Sequence, residues 1–281
     1  MELSSSGLTL RLAMVKIEEL KPHEEVVEAV VAKLAGEIRQ DGIVRDPLIV
    51  DQDDHVILDG MHRFASLKRI DCRFAPCCLL DYMNPQVTVG SWFRVFTVEG
   101  ANSVAQEILS SMKLDYSVNQ LGMTDFAFQP ATVIVTKDRN GFFLRHSTDI
   151  LEHCRIATSI EKQMVKRGHK VTYLSESLAI QWLESERANF VVVLPVFTKD
   201  TIRNFGSEGL LLPHKVTRHV IPSRPMEIDV PLSLLTDRNI SLQEADEKLD
   251  ELLARRKLER IPPGSVIDGR RYDEELIVFS P

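Results

Sequence analysis

The chain has 281 residues, enough for one large domain or two with an ample apolar core. Hydrophobic residues make up 44% and charged residues 27%, ordinary for a soluble globular protein, and the formal net charge is −7. That balance argues against a dedicated duplex-DNA binder, whose phosphate contacts call for a basic surface, and suits an enzyme that meets anionic substrates in a locally cationic pocket.

No run of about 18 apolar residues is present, so no membrane-spanning helix is expected. The first eleven residues lack a basic-then-apolar leader, so a cytoplasmic location is expected. The four cysteines, Cys72, Cys77, Cys78 and Cys154, form no CxxC pair, and the first three read as small buried hydrophobes of a reducing compartment.

In chain order, 14–20 alternates weakly and reads as a strand. Pro22-His23-Glu24-Glu25 reads as a turn into a helix over 26–39, with Val27, Val30, Val31, Leu34 and Ile38 on one face. Asp41-Gly42 stops that helix. Residues 47–58 read as a hairpin around a polar turn, Asp51 to Asp54. A second helix is predicted over 62–69 and a strand over 75–80. Beyond about residue 95, predicted strands (132–136, 170–174, 189–195) alternate with predicted helices (148–166, 176–187, 199–206). A charged helix is predicted over 242–260, and Leu276 to Phe279 reads as a last strand. The expected organisation is α/β (α+β): a nucleotide-binding domain over 1–95, a second α/β domain over 96–235 completing the substrate site, and an extension over 236–281.

The strongest chemical pattern is VILDGMHRFASLKRI, residues 56–70. It reads as a buried strand, a sharp turn at Gly60 and the first turn of a helix. Backbone N–H groups at a helix start attract anions, and glycine allows close backbone approach. Arg63 adds a forked, charge-assisted donor for phosphate oxygens, and each such bond contributes roughly 1.5–3 kcal/mol. Asp268-Gly269-Arg270-Arg271 echoes this box but lacks an amphipathic helix behind it, and reads as a turn. No Walker loop, GxGxxG, or paired HRD and DFG motifs occur, which excludes P-loop and protein-kinase designs.

Asp59-Gly60-Met61-His62-Arg63 resembles the phosphate-binding box of the ParB/sulfiredoxin superfamily. Met61 stands where sulfiredoxins carry a reactive cysteine, and a thioether is no thiolate nucleophile. The second arginine and helix-turn-helix of ParB proteins are not apparent. Three further stretches resemble the free L-serine kinases of this superfamily: Lys21-Pro22-His23-Glu24, Ser91-Trp92, and His214 to Pro222 with its Thr217-Arg218-His219. The likeness covers roughly 14–95 and 188–235.

That resemblance implies a ParB/sulfiredoxin-like N-terminal domain and a phosphoryl transfer from ATP or ADP, with Mg²⁺, to the hydroxyl of free serine. It implies Glu24 as the proton acceptor, with Glu25 as fallback, because a primary alcohol needs a nearby base. Asp59 is expected to position the hydroxyl or hold Mg²⁺, or else to cap the turn. Gly60, Met61, His62 and Arg63 are expected on the nucleotide phosphates. His23, Trp92, Thr217, Arg218 and His219 are expected on the substrate side. L-serine and a nucleotide are the expected partners. A ParB-like DNA-binding regulator and a non-catalytic nucleotide sensor remain the alternatives at this point.

Overall fold

The structure is a computed structural model that describes residues 1–5, 7–121, 132–144, 149–267 and 270–280. The start of the predicted 148–166 helix and the Asp268-Gly269 turn lie partly or wholly outside these residues. The chain divides into two compact units. One gathers Met1–Thr88, Lys199–Leu211 and His219–Pro281, and the other Val89–Thr198 and Leu212–Arg218.

The first unit is built on a five-stranded sheet in the spatial order Glu2–Ser5, Leu8–Lys16, Phe74–Leu80, Leu48–Asp51, Ile57–Asp59. Every residue of the central strand Phe74–Leu80 is buried, as expected of a run covered on both faces. This strand runs parallel to Leu48–Asp51 and antiparallel to Leu8–Lys16. The hairpin expected at 47–58 is present as Leu48–Asp51 against Ile57–Asp59.

Helices Glu28–Asp41 and Met61–Ile70 pack on each other. The first buries Val31, Ala35 and Ile38, an i, i+4, i+7 stripe. Val27 and Val30, expected on that face, are 40% and 45% exposed, because the helix begins only at Glu28 and its buried stripe is set by Val31. The 14–20 strand is corrected in the same way. It begins earlier, at Leu8, and gives way after Lys16 to a 3₁₀ turn, Ile17–Glu19.

Helix Leu242–Ala254 opens with a capping box between Ser241 and Glu244 and packs Ala245, Leu249 and Leu253 inward. The charged helix expected to reach residue 260 stops at Ala254, and Lys257–Ile261 is a strand. That strand pairs with Glu275–Ser280, whose other neighbour is Ser223–Met226. Cross-strand pairing with a buried apolar run therefore overrides the helical charge pattern.

The second unit holds a six-stranded, wholly antiparallel sheet in the order Thr172–Leu174, Phe93–Phe96, Phe190–Val193, Val133–Thr136, Asn140–Leu144, Tyr116–Gln120. Phe93, Val95, Val133, Val135, Val191 and Val193 form one core with Ala179 of helix Glu176–Glu184. Ala157, Ile160 and Met164 are the buried face of helix Ile150–Lys166. No helix among the described residues is long and apolar enough to cross a membrane.

Candidate active site

The elbow of the box is built as its residues require. Strand Ile57–Asp59 ends, Gly60 takes φ 101° and ψ 24°, and the helix runs Met61–Ile70. A Cβ on Gly60 would stand 2.7 Å from Leu48 Cδ2, so both backbone angle and space demand glycine. The first helical bond runs from the Phe64 N–H to the Gly60 carbonyl, and no side chain caps the helix start. The N–H groups of the opening turn thus have no side-chain cap, and a helix start of this kind attracts anions.

Arg63 is held beneath this turn. Its Nη1 donates to the Pro47 carbonyl at 2.7 Å, and its Nη2 lies 3.6 Å from the Asp46 carboxylate. His62 Nε2 accepts from the Val27 N–H at 3.1 Å, tying the elbow helix to the start of the Glu28 helix. Met61 is buried.

Within the same unit, the early acidic turn is laid along the strand that feeds the elbow. Lys21 N–H donates to the His55 carbonyl at 2.9 Å, and Ile57 N–H donates to the Lys21 carbonyl at 2.9 Å. His23 is buried, and its Nδ1–H donates to the Ile57 carbonyl at 2.8 Å. Burial pushes its imidazole down to about 4, against the Ile57 carbonyl, which raises it. Glu24 follows, partly exposed, four residues before the helix at Glu28. A place in the first helical turn, the structural explanation that competes with a catalytic one, is therefore not what this glutamate occupies.

The late segment supplies His219, whose ring stands edge-on to His23 with centroids 5.4 Å apart. Its Nε2 lies 2.9 Å from the Tyr82 hydroxyl, and its ring also hydrogen-bonds the Leu58 backbone. The consistent tautomer has Nδ1–H donating to the Leu58 carbonyl and Nε2 accepting from Tyr82. Burial first, and His23 second, push His219 down to about 3. Burial also raises the Tyr82 hydroxyl, which favours the protonated donor.

Asp59 is not a helix cap, since the N-cap position belongs to Gly60. Its Oδ2 accepts from Arg224 Nη1 at 2.6 Å, and Arg224 Nε donates to Glu274 Oε1 at 2.9 Å. The Arg224 side chain is 13% exposed and that of Asp59 42%. Burial lowers the Arg224 pKa and the two carboxylates raise it, with a net rise, so the guanidinium stays charged.

In the second unit, Trp92 is flanked by cations: Lys215 Nζ lies 5.1 Å and the Arg218 guanidinium 5.4 Å from its ring centroid. The Trp92 backbone N–H donates to the Val216 carbonyl at 3.1 Å, and Thr217 is buried in the next position. Arg94, fully buried, donates to the Trp92 carbonyl at 3.1 Å and to Glu161 at 3.1 Å, which fixes the backbone at Trp92.

Sequence reasoning missed Tyr82, Arg224, Glu274 and Arg94. Each sits outside any motif, and its side-chain partner is remote in the chain, so no local spacing announces it. Cys72, Cys77 and Cys78 are buried, as their sequence setting suggested, and so is Cys154; burial raises the thiols of the first three.

Fold and site together define a mixed α/β protein with a strand–glycine–helix elbow framed by buried histidines and a carboxylate. No family model matches the chain. It is 25% identical to an ATP-dependent L-serine kinase of Desulfurococcus mucosus over 79% of this chain and 90% of that one. It is 23% identical to the ADP-dependent L-serine kinase of Thermococcus kodakarensis over 79% and 91% of the two chains. A solved free serine kinase in complex with AMP superposes with TM-score 0.67 at 24% identity, over 80% of this chain and 93% of that chain. The chain is homologous to curated L-serine kinases along most of its length.

Proposed function

We propose that this protein is a nucleotide-dependent kinase of free L-serine, moving a phosphoryl group from ATP or ADP onto the serine hydroxyl to give O-phospho-L-serine. The observation that carries this reading is the gathering, within one unit, of the His23-Glu24 turn, the Asp59–Arg63 elbow and His219. The likeness to L-serine kinases supports the same activity, and relatives using either donor keep both nucleotides in the proposal.

The elbow N–H groups hold the phosphates, with Arg63 setting the turn's position from below. The serine Oγ forms a bond to the terminal phosphorus while the bond from that phosphorus to its bridging oxygen breaks, releasing the shortened nucleotide. Glu24 takes the hydroxyl proton. His23 and His219, kept neutral by burial, add no charge of their own that would compete for the phosphates. Trp92, Thr217 and Arg218 are assigned to the serine and phosphoserine side.

Among the described residues, no three His, Cys, Asp or Glu side chains gather to hold a metal ion. In this reading the ion arrives on the nucleotide phosphates, and Asp59 is the one protein carboxylate assigned to it. Bound there, Mg²⁺ would neutralise charge on the phosphates.

The test is incubation with L-serine, Mg²⁺ and either ATP or ADP, reading O-phosphoserine by mass spectrometry. Glu24→Gln is expected to abolish turnover while leaving AMP affinity within about threefold, in keeping with loss of a general base. Full activity in that variant removes Glu24 from the role. No phosphoserine from either donor with the unaltered protein rejects the kinase reading.

A further inference from the structure

The ion pair on Asp59 reaches into the last residues of the chain, a region no part of the kinase reading uses. Arg224 lies on strand Ser223–Met226, which runs parallel to Glu275–Ser280 with Ser223 opposite Glu275 and Arg224 opposite Leu276. Its guanidinium is gripped on two edges: Nη1 to Asp59 at 2.6 Å and Nε to Glu274 at 2.9 Å. A planar fork engaged by two carboxylates cannot rotate to release one without losing the other.

The strand pair is itself bolted down. Glu275 Oε2 accepts from Ser223 Oγ at 2.8 Å and from Ser5 Oγ, and Arg260 Nη1 donates to the same carboxylate at 3.1 Å. Leu276, Ile277 and Phe279 are buried. Asp59 is thereby anchored to the C-terminal sheet, at the one position where the strand enters the elbow.

We infer that Arg224 is a positioning residue for Asp59, and Glu274 for Arg224, so that the C-terminal sheet orients a carboxylate of the phosphoryl-transfer site. The inference rests on the kinase reading. A buried guanidinium shared by two carboxylates leaves one negative charge in excess, and the more exposed partner, Asp59 at 42% against 17% for Glu274, is the one open to a ligand. Without Arg224, Asp59 keeps its chemistry and loses its fixed direction, which is felt in the transfer step rather than in nucleotide binding.

The test uses the full chain and the variants Arg224→Gln, Arg224→Lys, Glu274→Gln, Asp59→Asn and the double variant Arg224→Gln/Asp59→Asn. Each is assayed for O-phosphoserine formation, AMP affinity by calorimetry and thermal unfolding. Arg224→Gln is expected to lower kcat on the order of 10- to 100-fold, with AMP affinity within about twofold. Arg224→Lys should recover part of the loss, and Glu274→Gln should show a smaller one. In the Asp59→Asn background, Arg224→Gln should cost nothing further, because a residue acting only through Asp59 has nothing left to position. Folded Arg224→Gln with unaltered kcat overturns the inference, as do losses that multiply in the double variant. If Arg224→Gln does not fold, Arg224→Lys and Glu274→Gln decide by the same split of kcat from AMP affinity, and unchanged kcat in both overturns it. An unaltered protein that turns over no serine rejects the kinase reading and this inference together. An active one with an indifferent Arg224 rejects this inference alone.

Discussion

His23 and His219 show how burial sets chemistry one side chain at a time. Each donates one ring N–H to a backbone carbonyl of the strand that enters the elbow, and each is pushed well below the ordinary histidine value, to about 4 and about 3. A depressed folded pKa means the unfolded chain binds the extra proton first. The stability of the neutral, buried form is therefore complete above about pH 6.5 and lost as pH falls toward 4 and then 3. Each histidine contributes up to about 1.4 kcal/mol per pH unit in that window. Urea unfolding at pH 7 and pH 4.5 should show a steeper acid loss for the natural chain than for His23→Asn. An equal slope in the two would mean His23 is protonated in the fold.

At the scale of elements, two glycines decide how close backbones come. Gly60 carries the left-handed turn of the elbow. Gly206, on helix Lys199–Glu208, lies so near Val56 that a Cβ would stand 2.7 Å from its Cγ2. One turn earlier on that helix, Arg203 Nε reaches Asp51 at 3.2 Å and also pairs with Asp54, which pins the hairpin turn feeding the elbow. Gly60→Ala is expected to destabilise the protein by roughly 1–3 kcal/mol, from the strained φ together with the clash on Leu48. It should also weaken AMP binding, because the turn must shift. Urea denaturation and an AMP titration read the two effects separately, and undiminished AMP affinity would place the phosphates away from this turn. Gly206→Ala is expected to cost about 1–3 kcal/mol from overpacking on Val56. Recovery of that loss by Val56→Ala in the same chain would locate the strain there.

At the scale of the molecule, residues 219–281 belong to the same compact unit as residues 1–88. The terminal strand Glu275–Ser280 lies between two others and buries Leu276, Ile277 and Phe279. Truncation after Tyr272 should therefore destabilise the first unit, since each such side chain contributes about 1.5–3 kcal/mol when buried. The readout is the thermal midpoint. An unchanged midpoint would show that the strand is dispensable to the core.

Local order was legible wherever a periodic apolar run met a breaker. The hairpin at 47–58, the elbow at Asp59-Gly60 and the helix behind it stand close to where the residue pattern put them. The box was legible because glycine, a helix start and an arginine must be contiguous to cradle an anion. The helix predicted through 260 failed because a charged, helix-compatible stretch, Lys257–Ile261, becomes a strand once Glu275–Ser280 is beside it. The Arg224 clamp was invisible for a related reason: Asp59, Arg224 and Glu274 share no spacing, and only folding makes them neighbours. Short-range sterics and backbone geometry act over a few residues and can be read along the chain. Charge pairs and strand pairing act through space, and the tertiary structure alone decides which groups they join.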